Sequence, residues 1–351
     1  MTQYRRNYQR RQDGGSASPR PADIYQQVTD RIIAGLEAGT VPWRKPWRTA
    51  GGMPRSMSTG RRYQGVNVML LAMTAADRGY TSSWWGTRRQ VSEQGGWIRK
   101  GQNRENGKGA TYVSVWRDYG PQDADADDGA EDDPDAPGAR KRVVARMVPV
   151  FNADQCQDLP ERFYPVPGAP VEALAGPEAV LAANEATPGA AVFYDVHGEA
   201  YYDLVADQIH MPKRDEHTSA GRYYSTQFHE RVHSTGHASR LARETVGHGH
   251  KFGSPGYGRE ELVAELGAAF LCAETGTETG DTAEQSAAYL ADWLATIRED
   301  RKLVVQSASA AQKAADLIME PSRQAQRAED RGGELDDPDP DGEPDPGIEA
   351  A

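Results

Sequence analysis

The chain has 351 residues, of which 26% are charged and 38% hydrophobic, and a net charge of −12 at pH 7. That length suits two domains, each with its own core, and no apolar run approaches the length of a bilayer span. Two cysteines, Cys156 and Cys272, are too few for a disulfide framework, and the basic start lacks the apolar stretch of a signal peptide. Nothing therefore argues for export or membrane insertion, and a cytoplasmic protein is expected.

The net charge hides a division. Residues 1–120 carry 20 Lys/Arg against 8 Asp/Glu, and the remainder carries 20 against 44. The two parts have different electrostatic roles.

Residues 1–20 lack apolar periodicity and read as disordered. From Asp23 the spacing of Ile24, Val28, Ile32 and Ile33, closed by Gly39, predicts an amphipathic helix. A second helix is expected from about Asn67 to Asp77. TYVSVWRDY and RVVARMVPVF read as two strands of a hairpin, joined by the acidic segment 121–138. Two readings stay open for that insert: a solvated loop, or an acidic mimic whose eight carboxylates compete with an anionic ligand for a basic surface. The Pro-rich run Pro160–Pro170 reads as an interdomain link. A short helix near Val180, strands at Val192–Tyr194 and Tyr201–Val205, and then mostly helix follow. The segment after about Arg323 reads as an acidic, disordered tail.

His229, Glu230 and His233 form HExxH. Residues four apart lie on one helix face, so both imidazoles can reach one ion, with Glu230 beside its open position. A catalytic zinc site needs three protein ligands and a water. The metzincin pattern is rejected because Ser239 stands where its third His belongs. Downstream, GREELVAELGAAFLC carries Glu261 and Glu265 one helical turn apart. This matches the gluzincin habit of a ligand Glu followed by a carboxylate that orients a ligand His. Glu261 is taken as the ligand and Glu265 as the orienting group; helical phase alone leaves Glu260 as a competitor. One Zn2+ ion is the expected cofactor, Glu230 the general base, and a protein or peptide the substrate. A cap or core hydrogen bond is favoured for His237 over ligation, and His248 and His250 fall in a glycine-rich loop.

Six of the seven tryptophans precede residue 120, interleaved with Arg and Lys. Cations hold a phosphate backbone and aromatic faces stack on bases with little sequence preference, so this is the composition of a single-strand binder. Trp43, Arg44, Lys45 and Trp47, in VPWRKPWR, fall in a loop because two prolines prevent a regular helix. Stacking and interdomain packing both remain open for the two rings. Of the adjacent Trp84 and Trp85, one ring should be buried and the other available.

The series VPWRKPW, RRYQGVNVMLL, SSWWGTRRQ, GGWIRKGQ and VPVFNADQ resembles the N-terminal single-stranded-DNA-binding domain of ArdC-type antirestriction proteins of mobile genetic elements. FHERVHSTGHASRL, YGREELVAELGAAFLC, AAYLADWLATIRED and AAQKAADLI are similar to their zincin-like metallopeptidase domain. The resemblance runs from about Ala22 to Ile318. It implies a protein that travels with plasmids or phages and protects entering DNA from restriction, a binding face including Tyr63, Asn67, Trp85, Thr87, Arg88, Gln90 and Lys100, and a metal held by His229, His233 and Glu261.

The expected fold is α+β in two domains: an α+β single-stranded-DNA-binding domain over 21–160, a linker over 161–175, and a mostly helical zincin-like domain with a small sheet over 176–322, with 323–351 as the tail. Two alternatives stand beside the antirestriction reading: a DNA-dependent protease acting on DNA-bound proteins, and a non-enzymatic single-strand-binding module with a structural metal.

Overall fold

The computed structural model describes residues 21–38, 41, 52–101, 109–119, 142–164, 175–187, 189–246, 255–277, 287–300 and 302–333. The expectations for 1–20, for the insert 121–138 and for 334–351 lie outside these residues.

The first helix, α1 (Pro21–Glu37), buries Val28, Ile32 and Leu36, which are four residues apart and so form one stripe. Helix α2 (Val66–Arg78) ends at Gly79, whose φ of 66° is the left-handed conformation a glycine adopts without strain. Tyr80 N–H then closes the turn on Ala75 O at 2.8 Å.

Four strands, β1 (Arg55–Ser56), β2 (Trp84–Gly86), β4 (Thr111–Tyr119) and β5 (Arg142–Asn152), form a sheet in the order β1-β2-β5-β4. The two long strands are the predicted hairpin, antiparallel from Thr111 opposite Val150 to Tyr119 opposite Arg142. A smaller ladder pairs β3 (Trp97–Ile98) with β6 (Cys156–Gln157). Between β2 and β3 in the chain, the short helix α3 (Arg88–Glu93) opens on a capping box made by Thr87 and Gln90.

The second part begins with α4 (Pro177–Glu185) and a three-stranded sheet of β7 (Ala191–Phe193), β8 (Tyr201–Asp203) and β9 (Gln208–His210), in the order β7-β9-β8. Four helices follow: α5 (Ala220–Thr235), α6 (Pro255–Glu274), α7 (Ala287–Glu299) and α8 (Leu303–Gly333). The chain is thus α+β, with its helices concentrated after residue 220.

Two local expectations are corrected. The strand read as Tyr201–Val205 stops at Asp203, whose carboxylate accepts the N–H groups of Val205 and Ala206 and turns the chain back into β9. Helix also continues ten residues past Arg323 to Gly333. There it is held by polar pairs rather than an apolar stripe: Arg323 reaches Glu274 and Asp316, and Gln324 reaches Glu320 at 3.0 Å.

The largest core joins both parts of the chain. Val28, Ile32 and Leu36 of α1 and Met69 of α2 share one apolar cluster with Phe228, Leu262, Phe270, Ile297 and Ile318, and α1 packs on α7 and α8. Polar contacts cross at the same place. Glu274, 3% exposed, sits 3.6 Å from Arg62 and 2.8 Å from Arg323, and Gly65 N–H donates to Gln312 Oε1 at 3.1 Å. Among the described residues no helix is long and apolar enough to cross a membrane.

Candidate metal centre and nucleic-acid face

Helix α5 starts at Ser219, whose hydroxyl accepts Arg222 N–H at 3.2 Å. One face of this helix carries His229 and His233, with Nε2 atoms 3.1 Å apart. Helix α6 crosses it closely because Gly267 has no side chain: a Cβ there would stand 2.7 Å from Val232 Cγ2. That approach brings Glu261 in, its Oε2 3.4 Å from His229 Nε2 and its Oε1 3.5 Å from His233 Nε2. The three donors form the one His/Cys/Asp/Glu group of metal-binding geometry among the described residues. Ligands 2.0–2.1 Å from a tetrahedral ion stand about 3.3 Å from each other, and the three donor atoms, all within 4.8 Å of one another, lie close enough to converge on a divalent ion of the zinc class. Glu230, next to His229 in the helix, is buried.

Carboxylates surround His229. Its burial works against charge, but the hydrogen bond to Glu261 and the charges of Glu230, Glu265 and Glu261 outweigh it and lift the imidazole to about 9. Glu265 therefore acts on His229. The orienting contact to the second imidazole belongs to another residue: Glu260 Oε1 lies 3.3 Å from His233 Nδ1. Glu260, the competitor for Glu261 on helical phase, thus has a distinct place: Nδ1–H donates to it when Nε2 faces an ion.

Arg243 fixes that arrangement. Its guanidinium donates to Glu260, to Val232 O at 2.8 Å and to Thr235 Oγ1 at 2.6 Å, and Thr245 Oγ1 donates to Glu260 Oε2 at 2.5 Å. It therefore clamps the end of α5 to α6. Burial pushes the Glu260 carboxyl up, but His233 and Arg243 prevail and hold it below its ordinary value. Gly236 makes room for the clamp, since a Cβ there would lie 2.9 Å from an Arg243 nitrogen. Sequence reasoning missed Arg243 because it follows the motif in an irregular segment, with no spacing rule to mark it. His237 falls past the end of α5 and meets Ser239 Oγ at 2.8 Å, outside the donor triangle; His248 and His250 lie outside the described residues.

Two family models match the chain: the N-terminal domain of anti-restriction factor ArdC over residues 22–151, and a zincin-like metallopeptidase over residues 180–310. The metal-free crystal structure of antirestriction ArdC protein from plasmid R388 is similar at a TM-score of 0.67 and 38% identity, covering 86% of this chain and 98% of that one. The chain belongs to the ArdC antirestriction family. The Mn(II)-bound structure of the R388 protein is similar at a TM-score of 0.64 and 37% identity, with the same coverage. Among other relatives, protein y4eC of Sinorhizobium fredii (strain NBRC 101917 / NGR234) is 33% identical over 318 residues, 89% of this chain and 96% of that protein. DNA primase TraC of Escherichia coli is 34% identical over 310 residues, 84% of this chain, and the chain spans only 27% of that primase.

On the ArdC-type N-terminal part, the expected nucleic-acid residues separate into three groups. Trp43, Arg44, Lys45 and Trp47 lie outside the described residues. A second group is used internally. Trp85 is corrected outright: it is 0% exposed, packed with Leu71, Val113 and Val150 and edge-on to Tyr80 at 5.9 Å, so its ring meets no solvent. Strand alternation sends it to the side opposite Trp84, which packs on Phe163 and stays half-buried under Arg55. Asn67 grips the Ser114 backbone at both ends, at 2.7 and 2.8 Å, pinning α2 to β4. Thr87 and Gln90 cap one another, and Gln90 also reaches Ser58 Oγ at 2.8 Å. Tyr63 is partly covered, and burial pushes its hydroxyl up to about 12. The third group, Arg88 and Lys100, is exposed.

Proposed function

We propose that the chain is a single-stranded-DNA-binding antirestriction protein whose zincin-like part holds one zinc ion and hydrolyses peptide bonds. The observation that carries the hydrolase reading is the convergence of His229, His233 and Glu261, with the two Nε2 atoms 3.1 Å apart and each within 3.5 Å of one Glu261 oxygen, beside a buried glutamate on the same helix. Zinc bound there supplies a Lewis acid and a bound water of pKa about 7. Glu230 is the chain's own base: it takes the proton as water attacks the peptide carbonyl and returns it to the departing amine. Glu260 and Arg243 hold His233 at its angle. The excess of Arg and Lys before residue 120, with six tryptophans among them, supports the DNA-binding part of the reading.

Elemental analysis joined to a protease assay, with and without single-stranded DNA, tests the proposal. We expect one zinc per chain, cleavage by the wild type, and no cleavage by a Glu230→Gln variant that keeps its metal. Purified protein without stoichiometric metal would overturn the hydrolase reading.

The core shared between the two parts favours one further reading, a DNA-dependent protease acting on proteins bound to DNA. In that case Glu230→Gln abolishes protection of entering DNA from restriction. Protection that survives the substitution assigns the biological effect to DNA binding alone.

A further inference from the structure

Of the four tryptophans whose side chains are described, Trp84, Trp85, Trp97 and Trp293, only Trp97 is exposed, at 51%. The backbone dictates this. Gly96 is pressed so closely on the following ladder that a Cβ would stand 2.7 Å from Leu159 and 2.9 Å from Gln157 O. The next two residues alternate across β3: Ile98 turns inward onto the cluster of Met57, Val91 and Phe151, and Trp97 turns out. Trp97 faces water because the fold points it there, while its neighbour supplies the packing.

Its surroundings are cationic. Arg99 and Lys100 follow directly, and α3, which packs on β3, presents Arg88 and Arg89; all four are exposed. Between Arg55 and Lys100 the chain carries eight Arg/Lys against two carboxylates, Asp77 and Glu93. Glu93 is engaged by Arg89 at 2.7 Å; on the β6 side exposed Asp158 follows Trp97's strand partner Gln157, and Asp154 accepts the Thr81 and Ser82 N–H groups. Arg88, Arg99 and Lys100 form no ion pair among the described residues. An exposed indole followed in the chain by Arg99 and Lys100, beside a helix that presents Arg88, fits a chain of phosphates carrying unstacked bases, and it suits a duplex poorly, because paired bases offer no free face at a backbone contact.

We propose that Trp97 is the base-stacking platform of the nucleic-acid site, with Arg88, Arg99 and Lys100 as its phosphate contacts. This rests on the reading that the protein binds single-stranded DNA. It replaces Trp85, whose ring is in the core, and it predicts a division of labour: stacking carries affinity without salt dependence, and the cations carry the salt dependence.

The test uses the full chain and oligo(dT) as probe, with dissociation constants measured at several salt concentrations. Trp97→Ala is expected to weaken binding about tenfold at every salt concentration, leaving the slope of log affinity against log salt unchanged, and Trp97→Phe to recover most of the loss. The double variant Arg99→Ala/Lys100→Ala is expected to flatten the slope by about 1.4, at about 0.7 per phosphate contact. Metal content, measured alongside, should match wild type, and the thermal midpoint should fall only modestly, since about half of the indole is already exposed. If wild type binds oligo(dT) and Trp97→Ala binds equally well, or loses affinity through a changed slope, the platform is wrong and DNA binding stands. If wild type does not bind oligo(dT) even at low salt, the DNA-binding reading fails and the platform with it.

Discussion

The metal centre and the nucleic-acid face lie in one protein and are built in opposite ways. At the metal centre His229, His233, Glu260 and Glu261 are largely buried, come from two long helices, and each has a partner within about 3.5 Å. The basic face is assembled from two-residue strands, a six-residue helix and exposed cations. A site that must meet one ion from three directions needs positional accuracy, and two crossing helices supply it. A surface that follows a flexible polyanion needs charge and one or two flat rings, and short elements suffice.

Substitutions can sharpen or break this contrast. The largest effect is expected from Glu261→Ala, which leaves two imidazoles to hold the ion. Metal affinity should fall by more than about a thousandfold, beyond the 10–100-fold typical of residues outside the ligand set, as measured by competition with a chelating dye. Retention of stoichiometric metal would sink the proposed ligand set. Trp85→Ala should cost about 3–5 kcal/mol of folding stability, read by denaturant unfolding, because it empties a core position. A Trp85→Ala protein that stays stable but loses DNA would return that ring to the binding face.

Glu260→Gln keeps the shape of the orienting group and removes its charge, and we expect a 10–100-fold loss of metal affinity with little change in oligo(dT) binding. Equal losses in both would show that the two sites are less separable than their construction suggests. A pH effect of definite sign accompanies the metal site. In metal-free protein the His229 imidazole is held at about 9 against an ordinary 6.5, so its charge stabilises the fold fully below pH 6.5. That contribution is lost as pH rises from 6.5 to 9. Thermal midpoints of metal-free protein should therefore fall across this window, and a His229→Gln variant should lack this part of the slope. The smallest effect is expected at Thr87→Ala, about 1 kcal/mol of stability from a lost cap, with the salt slope of DNA binding unchanged.

The contrast also explains what the amino-acid order could show. HExxH is legible because the helix period fixes where His229 and His233 point, and a second strongly helical segment narrows the third donor to Glu261 or its neighbour Glu260. The orienting carboxylate was expected at Glu265, one turn after the ligand. Glu265 acts on His229, and the further contact, to His233, comes from Glu260, since which neighbour reaches Nδ1 depends on how the two helices cross at Gly267 and Val232, a tertiary matter. The long β4/β5 hairpin was readable from alternation, but the two- and three-residue strands were too short for any period to register. On the basic face, composition identified a class of partner, yet motif position selected Trp85 over Trp97. Only packing against Gly96 and Leu159 tells which indole faces solvent. The core joining α1 to α7 and α8 had no local signature at all.

That joint core bears on how the family's genes are assembled. Separating the polypeptide near the proline-rich stretch would leave Val28, Ile32 and Leu36 stranded from the surface that covers them, and each fragment would carry a sticky, water-facing flank prone to aggregation. Recombination that shuffles this protein into larger ones is therefore expected to transplant the pair whole, as a single cassette. The 310-residue match to the much longer TraC primase spans 84% of this chain in one alignment, the form such a transplant would leave.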